Sequence, residues 1–155
     1  GQQGGAMPLF SKIPIDKKQL EAEISCLERQ TSAEFRIFIE RKIPSKPTAL
    51  SVYERALGVF SQLEMHQTAA RNGVLIYIAY DDRQCAIIVD IVIHQYVGDD
   101  FWQTECARMI AHFKQKQYTE GILASMQKIG EHLIQHFPVQ PDDKNELDNE
   151  VIIHD

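Results

Sequence analysis

The feature that most constrains this chain is a long apolar stretch in its middle, interrupted by a single acidic turn. Residues 74–80 are apolar without a polar break, which is typical of a strand buried on both faces. Asp81, Asp82 and Arg83 then form a polar turn, and residues 85–93 are again apolar and β-branched. A hairpin this apolar is not stable alone in water, so helices must cover both of its faces.

The segments before this hairpin predict a crossover. Residues 33–40 alternate between apolar and polar side chains and predict a strand. One helix begins at Asp16 and another at Ser51, and each starts with a capping-box pattern. The succession strand, helix, strand over residues 34–80 favours two parallel strands, to which the hairpin adds an antiparallel strand.

The second half of the chain predicts two more helices. Asp99 or Asp100 caps the first, and the second runs from Thr119 until Pro138 stops it. The order helix-strand-helix-strand-strand-helix-helix predicts the α/β class: a three-layer α/β/α sandwich with a small mixed sheet. We therefore expect an N-terminal extension at residues 1–15, in which residues 1–7 resemble a cloning scar, and a single domain at residues 16–137. Residues 138–155 form an acidic tail that can dock through Val151, Ile152 and Ile153, a run of three apolar residues.

Charge and composition exclude several classes of partner. The net charge is −6, but six acids and one lysine after position 137 account for −5 of it, which leaves about −1 for the rest. Such a body lacks the basic patch that nucleic acids or anionic lipids attract, and no segment is apolar enough to span a bilayer. We expect neither nucleic acid nor membrane as partner, and a cytoplasmic location because no signal peptide is recognisable. The three cysteines show no metal-binding spacing and are expected to be reduced core thiols: Cys26, Cys85 and Cys106.

Acidic residues gather at both edges of the predicted sheet. The carboxyl edge collects Glu40, Asp81 and Asp82, and ligands of α/β sheets often bind at such an edge. The opposite edge collects Glu34, Asn72, Asp99 and Asp100. Paired carboxylates suit Ca²⁺ or Mg²⁺, but the same residues also serve as turn residues and helix caps. Motifs of phosphate-binding loops, dinucleotide folds and serine hydrolases are absent.

Three stretches carry a resemblance to a known family: TSAEFRIFIE at 31–40, MHQTAARNGVLIYIAYDDR at 65–83, and FKQKQYTEGILASMQKIGEHL at 113–133. They resemble the TPM-domain family, which includes the thylakoid-lumen acid-phosphatase-like proteins, and the tail resembles the family's short soluble bacterial branch. The resemblance implies an α/β/α sandwich, divalent-cation binding and, in the plant members, weak acid phosphatase activity. It places the family's acidic pair on Asp81 and Asp82, a further acid on Glu34, and an Asn-Gly pair on Asn72 and Gly73. The glycine-rich stretch usual after the hairpin is missing, since only Gly98 remains there.

Three hypotheses about function follow. The first is a domain without enzymatic activity that binds Ca²⁺ or Mg²⁺ through Asp81, Asp82, Glu34, Asp99 and Asp100. The second, implied by the resemblance, is a metal-assisted phosphatase in which the bound ion polarises a phosphoryl oxygen and activates water. The third is an interaction module that binds another protein through its acidic tail or the edge of its hairpin.

Overall fold

The chain folds around a four-stranded mixed sheet. A computed structural model describes residues 13–141 and 149–154. The strands are β1 (Glu34–Glu40), β2 (Gly73–Ala79), β3 (Gln84–Val89) and β4 (Ile152–His154), in the order β3-β2-β1-β4. The helices are α1 (Lys17–Glu28), α2 (Val52–Gln62), α3 (Ile91–Tyr96), α4 (Asp99–Lys114) and α5 (Tyr118–His136), with a 3-10 turn at Met65–Gln67. Strand β1 runs parallel to both β2 and β4, and β2 runs antiparallel to β3, which confirms the predicted mixed sheet.

Two apolar layers cover the two faces of this sheet. Helix α2 packs on one face through Ala56, Val59 and Phe60. Helices α1, α4 and α5 cover the other face, where Leu20, Phe113 and others surround the odd-numbered residues of β1. Every residue of β2 is buried, as expected for a central strand with no polar break. The α/β/α architecture predicted from the sequence is therefore confirmed.

The first two helices begin where their capping residues predict. The Ser51 hydroxyl accepts a hydrogen bond from the Glu54 backbone N–H, and the Glu54 carboxylate accepts one from the Ser51 N–H. Asp16 caps α1 by accepting from the Gln19 N–H at 3.2 Å. In the predicted capping box, the Asp16 N–H would donate to the Gln19 side chain. Here it donates instead to the Thr119 hydroxyl, and this hydrogen bond connects α1 to α5.

The predicted strand at residues 85–93 is wrong in its second half. Strand β3 ends at Val89, and Asp90 instead caps the short helix α3 by accepting from the Ile91 N–H at 2.7 Å. The Arg71 guanidinium holds the same carboxylate through two bonds of 2.9 Å. A short β-branched run is compatible with either a helix or a strand. Here the Asp90 cap and its ion pair with Arg71 favour the helix.

The expected caps of the next helix are also corrected. Gly98, rather than Asp99 or Asp100, occupies the cap position of α4, and no side chain bonds the end of the helix there. Both aspartates lie within the first turn, where a negative charge is favoured by the helix dipole.

The end of the chain belongs to the fold. Val151 is 1% exposed, and residues 152–154 add the strand β4 to the free side of β1. The Val151 N–H donates to the Glu21 carboxylate at 2.9 Å, and Lys17 pairs with Glu150 at 3.0 Å. The predicted docking through Val151, Ile152 and Ile153 is thus confirmed. Over residues 13–141 and 149–154, no helix is both long and apolar enough to cross a membrane.

Candidate functional site

A buried ionic network occupies the carboxyl end of β1. The Arg55 guanidinium of α2 donates two hydrogen bonds to the Glu40 carboxylate, at 2.8 and 3.0 Å. The Tyr77 hydroxyl of β2 donates to the same carboxylate. Burial, aided by the hydrogen bond to Glu40, raises the pKa of Tyr77 well above its usual value. Because three donors already hold Glu40, its carboxylate serves the packing of α2 on the sheet and is not available to a metal ion.

The two aspartates of the hairpin turn both reach the loop that follows β1. Asp82 accepts a hydrogen bond from the Ile43 backbone N–H at 2.8 Å. Asp81 lies 3.4 Å from the Arg41 guanidinium, and 39% of its side chain is exposed. The structure therefore brings Asp81 and Asp82 together beside a cation of the protein itself.

The acidic residues of the opposite edge lie on different layers. Since side chains alternate along a strand, Glu34 shares the α2 face with Phe38 and Glu40. Asp99 begins α4 on the other face, where its carboxylate lies 3.6 Å from His94 Nδ1, and Asp100 follows in the same turn. Asn72 donates to the Ser32 carbonyl at 2.8 Å, while its own side-chain oxygen is buried without a hydrogen-bond partner. Within the described ranges, no three His, Cys, Asp or Glu side chains are close enough together to hold a metal ion.

A concave surface lies along β3, at the side of the sheet opposite β4. We call it the β3 groove: its floor is residues 85–89, one wall is α2 and the other is α3 with α4, and it encloses about 640 Å³. The α2 wall is formed by Val52, Tyr53 and Leu57, and the other by His94, Asp99, Trp102, Gln103, Cys106, Ala107 and Ile110. Tyr53 is 57% exposed and Leu57 is 41% exposed, although both are large apolar residues. The groove thus places apolar side chains on both sides of a strand edge.

Alternate residues of β3 point their backbone N–H and C=O groups into this groove. The Asp90 N–H donates to the Gly73 carbonyl on β2, so even-numbered residues of this segment point their backbone groups toward β2. The backbone groups of Cys85, Ile87 and Val89 consequently point outward, and no strand in the described part of the chain pairs with them. The Ile87 N–H meets the sulfur of Cys106, while Cys85 and Val89 lie toward the two ends of the groove.

The sequence patterns described above do not predict the walls of this groove. The apolar stripe of α2 that faces the sheet consists of Ala56, Val59 and Phe60. The missed signal is a second apolar pair, Tyr53 and Leu57, which are four residues apart and lie outside that stripe. Such a pair on a polar helix face indicates a partner or a groove, but only the structure shows which neighbour lies opposite.

Comparison with known proteins agrees with this fold. The family model of the TPM domain matches residues 11–132, which is most of the chain. The chain belongs to the TPM-domain family. No curated protein matches the sequence.

Two solved structures of similar fold come from bacteria. The BA42 protein of the psychrophilic bacterium Bizionia argentinensis is 32% identical, with a TM-score of 0.81 over 96% of this chain and 100% of that one. The N-terminal domain of a P. gingivalis protein is 18% identical, with a TM-score of 0.62 over 77% of this chain and 74% of that one. The second likeness concerns the fold alone. Cation binding and phosphatase activity therefore stay predictions for this TPM domain.

Proposed function

We propose that this TPM domain is a protein-interaction module that binds an extended apolar segment of a partner protein in the β3 groove. The observation that carries the proposal is the edge of β3 between two apolar walls, where the backbone groups of Cys85 and Val89 point outward and no strand of residues 13–141 and 149–154 pairs with them. A strand edge of this kind binds peptides through main-chain hydrogen bonds, while flanking pockets select the side chains. The floor of five residues accommodates a segment of about five residues, roughly 17 Å long.

The charges of the groove indicate the chemistry of that segment. Among the described residues, its lining contains one carboxylate, Asp99, and neither lysine nor arginine. Asp99 lies at the start of α4, near the Val89 end of the floor, whereas Cys106 lies beside Cys85 at the other end. We therefore expect the partner segment to carry apolar residues in its middle and a lysine or arginine at the end that meets Asp99.

Display of random peptides tests this proposal without knowledge of the natural partner. We expect phage selection with roughly ten-residue peptides, twice the length of the groove floor, to enrich apolar segments with one basic end. In amide NMR spectra, an enriched peptide should shift the signals of Cys85 and Val89. Replacing Leu57 by serine removes apolar contact area from one wall and should weaken binding by about tenfold.

The matched control for this experiment is Leu50→Ser. Leu50 is 40% exposed, almost the same as Leu57, but it does not line the groove. We expect this variant to bind the enriched peptide as the unmodified protein does. Equal weakening by both variants, shifts confined to another surface, or a selection without any binder would contradict the proposed interaction.

Weak binding of divalent cations at the hairpin turn is a second candidate function. It is favoured by the position of Asp81 and Asp82, whose carboxylates both reach residues 41–43. Two carboxylates supply only part of the six to eight oxygen ligands of Ca²⁺, so water would complete the shell and the affinity would be about millimolar. Arg41 competes with the ion because its guanidinium lies 3.4 Å from Asp81.

A calcium titration followed by amide NMR tests this second candidate. We expect saturable shifts at residues 81–83 and 41–43, weaker binding in Asp81→Asn, and binding several-fold tighter in Arg41→Ser because a competing positive charge is removed. Asp99→Asn removes one negative charge from the other edge and serves as the control, which should leave the titration unchanged. Shifts that persist in Asp81→Asn but disappear in Asp99→Asn would move the site to the opposite edge.

A further inference from the structure

Two of the three cysteines meet between β3 and α4. The Cys85 thiol donates to the carbonyl oxygen of Cys106 at 3.6 Å, and the two thiols shift each other's pKa in opposite directions. Cys85 is buried in the floor of the β3 groove, whereas Cys106 is half-buried and forms part of its wall. Solvent therefore reaches the pair through the groove and meets Cys106 first.

The surroundings of Cys106 favour its thiolate. The neighbouring Cys85 thiol, together with the Ile87 backbone N–H, lowers the pKa of Cys106 below its usual value, although burial and the charge of Glu105 act in the opposite direction. The hydrogen bond with Cys106 and the burial of Cys85 raise the pKa of Cys85, so that Cys85 keeps its proton and acts as the donor. One accessible thiol with anionic character beside one protonated thiol is the arrangement of a reactive and a resolving cysteine.

We propose that Cys106 and Cys85 are a peroxide-reactive thiol pair, in which Cys106 is oxidised first and Cys85 then closes a disulfide between α4 and β3. In the first step, the Cys106 thiolate attacks one oxygen of hydrogen peroxide, the O–O bond breaks, and the departing hydroxide takes a proton to become water. The product is Cys106 sulfenic acid. In the second step, the Cys85 sulfur attacks the Cys106 sulfur, the S–O bond breaks, and the departing hydroxide leaves as water with the Cys85 proton.

The balance of this reaction is two thiols and one peroxide giving one disulfide and two waters. The Cys85 sulfur already lies 3.6 Å from an atom of Cys106, so only local movement is needed to bring the two sulfurs to the disulfide bond length of about 2.05 Å. Oxidation also removes the negative charge of Cys106, which is one cause of the raised pKa of Cys85, so the resolving thiol becomes a better nucleophile as the reaction proceeds. The inference does not depend on the proposed peptide partner.

Peroxide titration with peptide mass mapping tests the pair in the folded protein. We expect the unmodified protein to lose two of its three free thiols and to yield a peptide that joins Cys85 to Cys106. Cys85→Ser should stop at the first step and accumulate a sulfenic acid that dimedone traps on Cys106. Cys106→Ser should form no disulfide.

Cys26 provides the matched control, because it is half-buried like Cys106 but meets no second thiol. Cys26→Ser should oxidise as the unmodified protein does. In iodoacetamide labelling at neutral pH, Cys106 should react about tenfold faster than Cys26, and its rate should reach half-maximum below the usual thiol pKa of about 8.5. Oxidation that begins at Cys26, or disulfide formation that survives in Cys106→Ser, would overturn the proposal.

Discussion

Replacing Arg55 by methionine is expected to lower the free energy of unfolding by about 3–5 kcal/mol, since it leaves the buried Glu40 carboxylate without its ionic partner. The side chain of Glu40 is 4% exposed, and Arg55 supplies two of the three hydrogen bonds that hold it. Urea denaturation followed by circular dichroism measures the loss directly. Arg29→Met, at an exposed position after α1, should change the stability by less than about 0.5 kcal/mol.

A double variant separates the unpaired charge from lost packing. Glu40→Gln combined with Arg55→Met removes both charges but keeps an acceptor for the Tyr77 hydroxyl. This double variant should recover most of the stability that Arg55→Met loses, because no buried charge remains unpaired. If the double variant is as unstable as Arg55→Met, the loss comes from packing of the arginine side chain against Phe38 instead.

Replacing Val151 by aspartate is expected to lower the free energy of unfolding by about 3 kcal/mol. The substitution buries a charge where the end of the chain packs on the core. Val151 is 1% exposed, and its backbone precedes the strand that pairs with β1. Thermal unfolding should occur well below the melting temperature of the unmodified protein.

The control for this substitution is Val139→Asp. Val139 is also a valine near the end of the chain but is 46% exposed, so an added charge there remains solvated. We expect its effect to stay within about 0.5 kcal/mol. Equal stability of the two variants would mean that β4 contributes little to the fold, and the tail would again be a candidate for binding partners.

The candidate sites show which features of a site can be predicted from residue patterns and which cannot. The hairpin turn could be predicted, because Asp81 and Asp82 lie next to each other in the sequence and their position follows from the two apolar strands around them. The pairing of Asp81 with Arg41 could not be predicted, because it depends on where the loop after β1 passes the ends of the strands. Glu40 is likewise excluded as a metal ligand because Arg55 binds its carboxylate, and Arg55 lies fifteen positions away on a helix of the neighbouring layer.

The β3 groove could not be predicted from the sequence. Tyr53 and Leu57 are on α2, Trp102 and Cys106 are on α4, and no local pattern joins the two helices. They face each other because α2 and α4 pack on opposite faces of the sheet and both reach past its edge at β3. The thiol pair was missed for the same reason, because a core cysteine on a strand and one on a helix reveal no contact until the layers are assembled.

Four helices and three strands in their order, the apolar central hairpin, the cap of α2 and the three-layer class follow from the sequence, since these depend on periodicity and on contacts between residues close along the chain. That Asp90 ends β3 and begins α3, that residues 152–154 become a fourth strand, and which acidic residues are already paired follow only from the packed structure. The physical reason is that these outcomes depend on which charged and apolar groups meet across layers. The energies of such contacts override weak local preferences, and they arise only when distant segments pack together.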